Sequence, residues 1–194
     1  MRYLLLSLIV FGAASIGSAQ NPTPDATLRK AAQDGEMTAV KELLEKGANV
    51  NARDETGKTA LLWVAPARDN PEMAKLLIDR GADVNAKDNA GETALMIASI
   101  QSNHGIVTAL LEAGAEVNAQ NNVGGTALMA AAFRANVEEI KILLGNNADR
   151  KLKDKKGRTA FDVATEGAKN YKDDANRERF AEALTLLEVP VNEP

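Results

Sequence analysis

The sequence predicts an all-α solenoid of about five helix-turn-helix units joined by short hairpin-like turns, and three observations carry that expectation. A motif of glycine, a variable residue, threonine, alanine and an apolar residue recurs as GKTAL at Gly57, GETAL at Gly91, GGTAL at Gly124 and GRTAF at Gly157, with its threonines (Thr59, Thr93, Thr126, Thr159) 34, 33 and 33 residues apart. A second motif keeps the same beat, as GANVNA from Gly47, GADVNA from Gly81 and GAEVNA from Gly114, and two motifs in one phase mark an array of repeated units. Apolar residues make up 45% of the chain but aromatic ones only 4%, a balance that favours closely packed helices over a large mixed sheet.

From the N-terminus, residues 1–19 read as a secretory signal peptide. One basic residue, Arg2, precedes an apolar stretch from Tyr3 to about Ala14, and the small residues Gly17 and Ala19 flank Ser18, which places cleavage after Ala19. The stretch falls short of the roughly 20 residues of a spanning helix, so a retained membrane anchor is the weaker reading. Residues 20–24, with two prolines, form a flexible leader. The chain has no cysteine, which excludes disulfides and lipid attachment to an N-terminal cysteine. Without Arg2 there are 22 basic against 27 acidic side chains, a formal charge of −5, and that balance disfavours a nucleic-acid partner. The expected location is the periplasm or the medium.

The repeat domain spans 25–188, in units of about 25–53, 54–87, 88–120, 121–153 and 154–188, followed by a tail at 189–194. In the first unit Ala31, Ala32, Leu43 and Leu44 keep the apolar pattern while Arg29 and Lys30 stand where the next unit has Leu62 and Trp63, as befits a capping unit with one face in water. The second unit has one extra residue in PARDNPE, bounded by Pro66 and Pro71, so the turn between its helices should be displaced. The central unit shows the pattern most clearly: Leu95, Ile97 and Ala98, then Val107, Leu110 and Leu111, lie at helical spacing. Gly47, Gly81 and Gly114 should end the second helices in a left-handed conformation, and Asn147, the next best tolerated residue there, takes that place in the fourth unit. The last unit has a stripe of Phe180, Leu184 and Leu187 between charges and a longer connection between its helices, which reads as the C-terminal cap.

The chain resembles the ankyrin-repeat family in length, phase and glycine placement over residues 25 to about 188, and is similar in kind to small exported bacterial members of it. Ala60, Ala94, Ala127 and Ala160 stand where that family has proline. Leu62, Met96, Met129 and Asp162 replace its histidine, so the Thr–His side-chain hydrogen bond that the resemblance implies is absent.

The candidates for chemistry are few. Gly57-Lys58-Thr59 ends as a phosphate-gripping loop does, but Ala52 stands where the first glycine is needed, and Glu92, Gly125 and Arg158 replace the lysine in the other copies. His104, the one histidine, sits two residues from Ser102 on a turn, where the pair cannot assemble a nucleophilic triad by itself. One histidine and no cysteine exclude zinc in practice. DVNAKDN has Lys87 at a ligand position and lacks the glycine of a calcium loop. No metal or cofactor is expected. Trp63 is expected in the core. Arg150, Lys151, Lys153, Lys155, Lys156 and Arg158 crowd one turn, either as a solvated hairpin or as a site for an acidic partner. Ile100 and Phe133, in register on neighbouring units, form either a contact strip or tuck against the adjacent turn.

The resemblance implies a monomeric, non-catalytic module that binds another protein on a concave face formed by the turn tips and the ends of the first helices. The matching positions are Glu55, Thr56, Lys58 and Arg68; Asn89, Glu92, Ile100 and Gln101; Asn122, Val123, Phe133 and Arg134; with Lys155 and Lys156 adding charge. An inhibitor of a toxic enzyme, or a stabilising partner of a periplasmic enzyme in oxidative stress, is compatible with the same reading. A hydrolase is the competitor, and it lacks a nucleophile, base or metal set.

Overall fold

The computed structural model describes residues 22–66, 70–170 and 173–188. Among these are ten helices and no named strand: α1 (Pro24–Asp34), α2 (Met37–Glu45), α3 (Ala60–Val64), α4 (Pro71–Asp79), α5 (Ala94–Gln101), α6 (His104–Glu112), α7 (Ala127–Arg134), α8 (Val137–Gly145), α9 (Ala160–Ala168) and α10 (Asp174–Leu187). The odd-numbered helices stack in one row, each on the next, and from α4 onward the even-numbered helices stack in a second row. Each unit is therefore a helical hairpin that covers the apolar face of its neighbour. The core runs between the rows as a continuous ladder, with Leu28, Leu61, Met73, Leu95, Ile106, Leu128, Ile140 and Leu143 fully buried.

Local chemistry sets the helix ends. Thr93 and Thr126 accept the backbone N–H of Met96 and Met129, and Thr159 forms a reciprocal capping box with Asp162. Thr59 makes no such bond and its buried hydroxyl lacks a partner. At the far end of the second helices Gly47, Gly81 and Gly114 adopt φ of 85°, 84° and 85°, and Asn147 follows at 64°, as expected from the sequence. The amide after each bonds back to the last turn, as Ala115 N does to Leu110 O at 2.9 Å. Where the two helices of a unit meet, Gly35, Ser102 and Ala135 are also left-handed, at 78°, 59° and 50°.

The connecting turns project as fingers that zip together. In every finger one side-chain oxygen, from Asp54, Asp88, Asn121 or Asp154, accepts the amides two and four residues on. Neighbouring fingers then join through the backbone, Asn89 N to Thr56 O, Asn122 N to Ala90 O and Lys155 N to Val123 O, at 2.9 to 3.0 Å. A second ladder runs through Asn51, Asn85 and Asn118. Each donates its side-chain amide to the carbonyl of Gly81, Gly114 or Asn147 and accepts the amide of Asp83, Glu116 or Asp149. Lys151 holds that place in the fourth unit.

Several expectations are corrected. Pro24, counted with the leader, begins α1 behind the cap of Thr23. Leu111 is only partly buried, unlike Leu110. Trp63 is not a core residue: its neighbours Leu61, Leu62 and Val64 fill the interior, and the helical turn of about 100° per residue swings Trp63 toward the fingers. The signal peptide, the first two leader residues, the tail and the middle of the displaced turn lie outside the described residues; Pro71 opens α4 behind the cap of Asn70.

Candidate functional site

The groove between the fingers and the first helices is built from two columns. Four residues after each repeat threonine come Trp63, Ile97, Ala130 and Val163, and seven after come Ile100 and Phe133. In the third and fourth units these columns line a cavity of about 300 Å³ whose other wall includes Val123, Asn121 and Glu92 of the fingers. Val123 is 64% exposed and Phe133 44%, two large apolar side chains left to solvent beside an apolar concavity.

The polar rim is already partnered. Burial pushes the Glu92 carboxyl upward, opposed by the amide of Asn121, 2.6 Å away, and by Lys58. Arg158 clamps Asp154 through two nitrogens at 2.8 and 2.7 Å and pairs with Glu166 as well. The backbone N–H of Arg158, with its guanidinium, holds the Asp154 carboxyl below the usual range. Toward the N-terminal end, Trp63 Nε1 donates to Asp54 Oδ2 at 2.7 Å and Lys58 Nζ lies 4.9 Å from the centre of the ring, a cation–π contact. Burial would raise Asp54, but hydrogen bonds from Thr56, Lys58 and Trp63 outweigh it and hold the carboxyl at about 2. The same carboxylate occupies the Thr56 and Lys58 amides, so the loop has no free cradle for phosphate. Gly57 serves the fold instead: a Cβ there would stand 2.9 Å from the backbone nitrogen of Asn89.

The sequence-derived positions divide into three groups. Glu92, Ile100, Val123 and Phe133 converge on the apolar cavity, with Ile100 half-buried rather than exposed. Gln101 and Arg134 line an adjoining polar cavity with Ile100. Glu55, Thr56, Asn89 and Asn122 are exposed, but the two asparagine amides donate to Glu55 O and Asn89 O and so staple the fingers. Lys58 covers Trp63. Lys155 and Lys156 are exposed and line neither cavity. Arg68 lies outside the described residues.

Sequence reasoning missed Trp63, Ile97 and Arg179 of the groove. The first two were legible as one column of the repeat, which runs from tryptophan to alanine where core columns stay aliphatic. It also missed a buried acid. Glu139 stands thirteen residues after Thr126, as Ile106 stands after Thr93, yet it is 1% exposed. Nδ1 of His104, on the preceding unit, lies 2.5 Å from its Oε1. That is the separation of an ion pair. Burial pushes the Glu139 carboxyl up, against the pull of His104. Ser102 is not part of this pair; it is an exposed left-handed turn residue beside the polar cavity.

Among the described residues no group of three or more histidine, cysteine, aspartate or glutamate residues could hold a metal, and no helix is long and apolar enough to cross a membrane. Two family models match the chain, ankyrin repeats in three copies over residues 28–121 and ankyrin repeats in many copies over residues 110–164. Comparison with curated proteins finds no match.

Proposed function

Because the chain belongs to the ankyrin-repeat family, whose arrays generally mediate protein–protein interaction, we propose that it is a non-catalytic module that takes another protein into the groove. The observation that carries this reading is the pairing of exposed Phe133 and Val123 with the cavity over Ile97 and Ile100. An apolar patch framed by polar groups is the common form of a protein-binding surface. Binding is favoured over catalysis because the acids of the groove are tied to structural partners, Glu92 to Asn121, Asp154 to Arg158 and Asp54 to Trp63. The module acts outside the cytoplasm in this proposal, on the strength of the basic, apolar and small-residue order of residues 1–19.

A photo-crosslinking amino acid placed at Val123, compared with one at Lys75 on the outer row, tests the location in the native host. A discrete crosslinked partner from position 123 alone is the expected result. Phe133→Ala should then weaken binding of that partner by more than tenfold, about 1.4 kcal/mol, with unchanged circular dichroism. Crosslinking from position 75 alone would place the interface on the other face, and turnover by the clean protein would overturn the non-catalytic reading.

A further inference from the structure

The groove changes character at Ile100. That residue lines the apolar cavity and also a second one of about 300 Å³, whose other walls are Gln101, Ser102, Arg134, Asn136, Asn176 and Arg179. Two guanidinium groups therefore share one concavity next to the apolar one. Arg179 is held in place from behind, where its Nη2 lies 3.2 Å from Ala135 O and 3.4 Å from Asn136 Oδ1. Asn136 is itself buried and donates to Ser99 O at 2.8 Å. A guanidinium carries five N–H donors in a fixed fork, so this anchoring leaves most of them for another acceptor.

Neither arginine has a carboxylate partner among the described residues. The contrast within the same protein is direct: Arg158 is paired with Asp154 and Glu166, and Arg177 with Asp174. In a chain of net charge −4, two arginines that share a cavity and meet no acid there are charge-complementary to an anion supplied from outside.

We propose that the groove takes an extended acidic peptide segment of its partner, with a large aliphatic or aromatic side chain in the cavity between Phe133, Ile97 and Val123 and a carboxylate, within a few residues of it, between Arg134 and Arg179. This rests on the groove being the protein-binding face. A single carboxylate beside an apolar group is peptide chemistry. Nucleic acid or an anionic membrane would offer many phosphates and no apolar side chain, and would meet an acidic protein overall.

The probes are fluorescein-labelled, C-terminally amidated nine-residue peptides in a Gly/Ser background, each with one Leu and one Glu one to four residues apart, and the same set with Gln for Glu. Fluorescence anisotropy against the full-length mature protein should find a spacing at which the Glu peptide binds at least tenfold tighter than its Gln counterpart. Arg134→Glu, at an exposed side chain with no structural bond, should abolish that preference; Arg179→Gln should reduce it, with circular dichroism confirming the fold of both. Phe133→Ala should weaken both peptide sets alike. If Glu and Gln peptides bind equally at every spacing and Phe133→Ala weakens both, the acid specificity falls while the groove reading stands. If no peptide binds at millimolar protein, or if binding is indifferent to all three variants, the proposal falls, and crosslinking from position 123 still judges the groove independently. Inorganic sulfate or a DNA oligonucleotide competing as well as unlabelled Glu peptide would also overturn it, as the mark of a bare anion site.

Discussion

Replacing Glu139 by methionine should stabilise the protein, and the gain should grow as the pH rises. The slot is built for an apolar side chain: Ile106 and Met73 fill it in the two preceding units at 0% exposure, whereas Glu139 brings a carboxyl that is paired, among the described residues, with the half-exposed imidazole of His104. Exchanging a buried ionic arrangement for an apolar side chain of similar volume is commonly neutral or favourable by about 1 to 4 kcal/mol, and we expect about 1 to 3 kcal/mol at pH 7.5. The sign of the pH dependence follows from the direction of the shift. The folded protein holds the Glu139 proton above the ordinary carboxylate value of 4.5, so this group's contribution is fully present below about pH 4.5 and is lost as the pH climbs through the raised value. The loss proceeds by up to about 1.4 kcal/mol per pH unit. Glu138, on the same helix, also acts on the site. Glu138 remains in the variant, so the difference curve reports the loss of Glu139 together with its pairing to His104. Urea unfolding followed by circular dichroism from pH 4 to pH 8 measures it. A difference that stays flat over this range, or a variant less stable than the wild type at pH 7.5, would refute the reasoning. His104→Ala, which leaves the carboxyl buried alone, should instead cost about 1 to 2 kcal/mol at neutral pH, discounted for the exposure of the ring.

Other consequences are read by the same unfolding assay. Leu110→Ala, at a fully buried position, should cost about 2 to 5 kcal/mol, and Leu111→Ala, at a partly buried one, about half as much. Gly91→Ala should cost about 2 to 4 kcal/mol, because φ is 79° and the new Cβ would stand 2.8 Å from the backbone nitrogen of Asn122. Gly81→Ala, at a similar φ with nothing within 4 Å, should cost only about 1 kcal/mol, and equal losses would remove the claim that finger stacking demands the glycine. Ser102→Gly should raise stability by about 0.5 to 1 kcal/mol by relieving a left-handed non-glycine residue. Intact-mass analysis of exported material should find a chain beginning at Gln20; a product retaining Arg2 would contradict the export proposal.

The fold was legible because its determinants repeat. Thr93, Gly114 and Leu95 each recur in phase with their counterparts, so a weak local preference is read several times over. The site was less so. Trp63 reads as a core residue because it stands at a first-helix position that the family fills with leucine, and only its helical rotation relative to Leu61, Leu62 and Val64 shows otherwise. Arg179 and Arg134 are 45 positions apart and share a cavity only because the last helix returns against α8. Nothing in the local sequence of Glu139 marks it as buried; its position in the repeat does, through alignment with Ile106.

The asparagine ladder of Asn51, Asn85 and Asn118 binds carbonyl and amide groups that every residue possesses. One unit therefore recognises the next through its backbone, and an interior block of 33 residues could be exchanged, duplicated or removed with the asparagine rungs on either side still finding their complements. The column of Trp63, Ile97, Ala130 and Val163 lies outside that ladder, so a lineage can change what the groove holds by point substitution and how far the groove extends by block insertion, two independent dials on one surface.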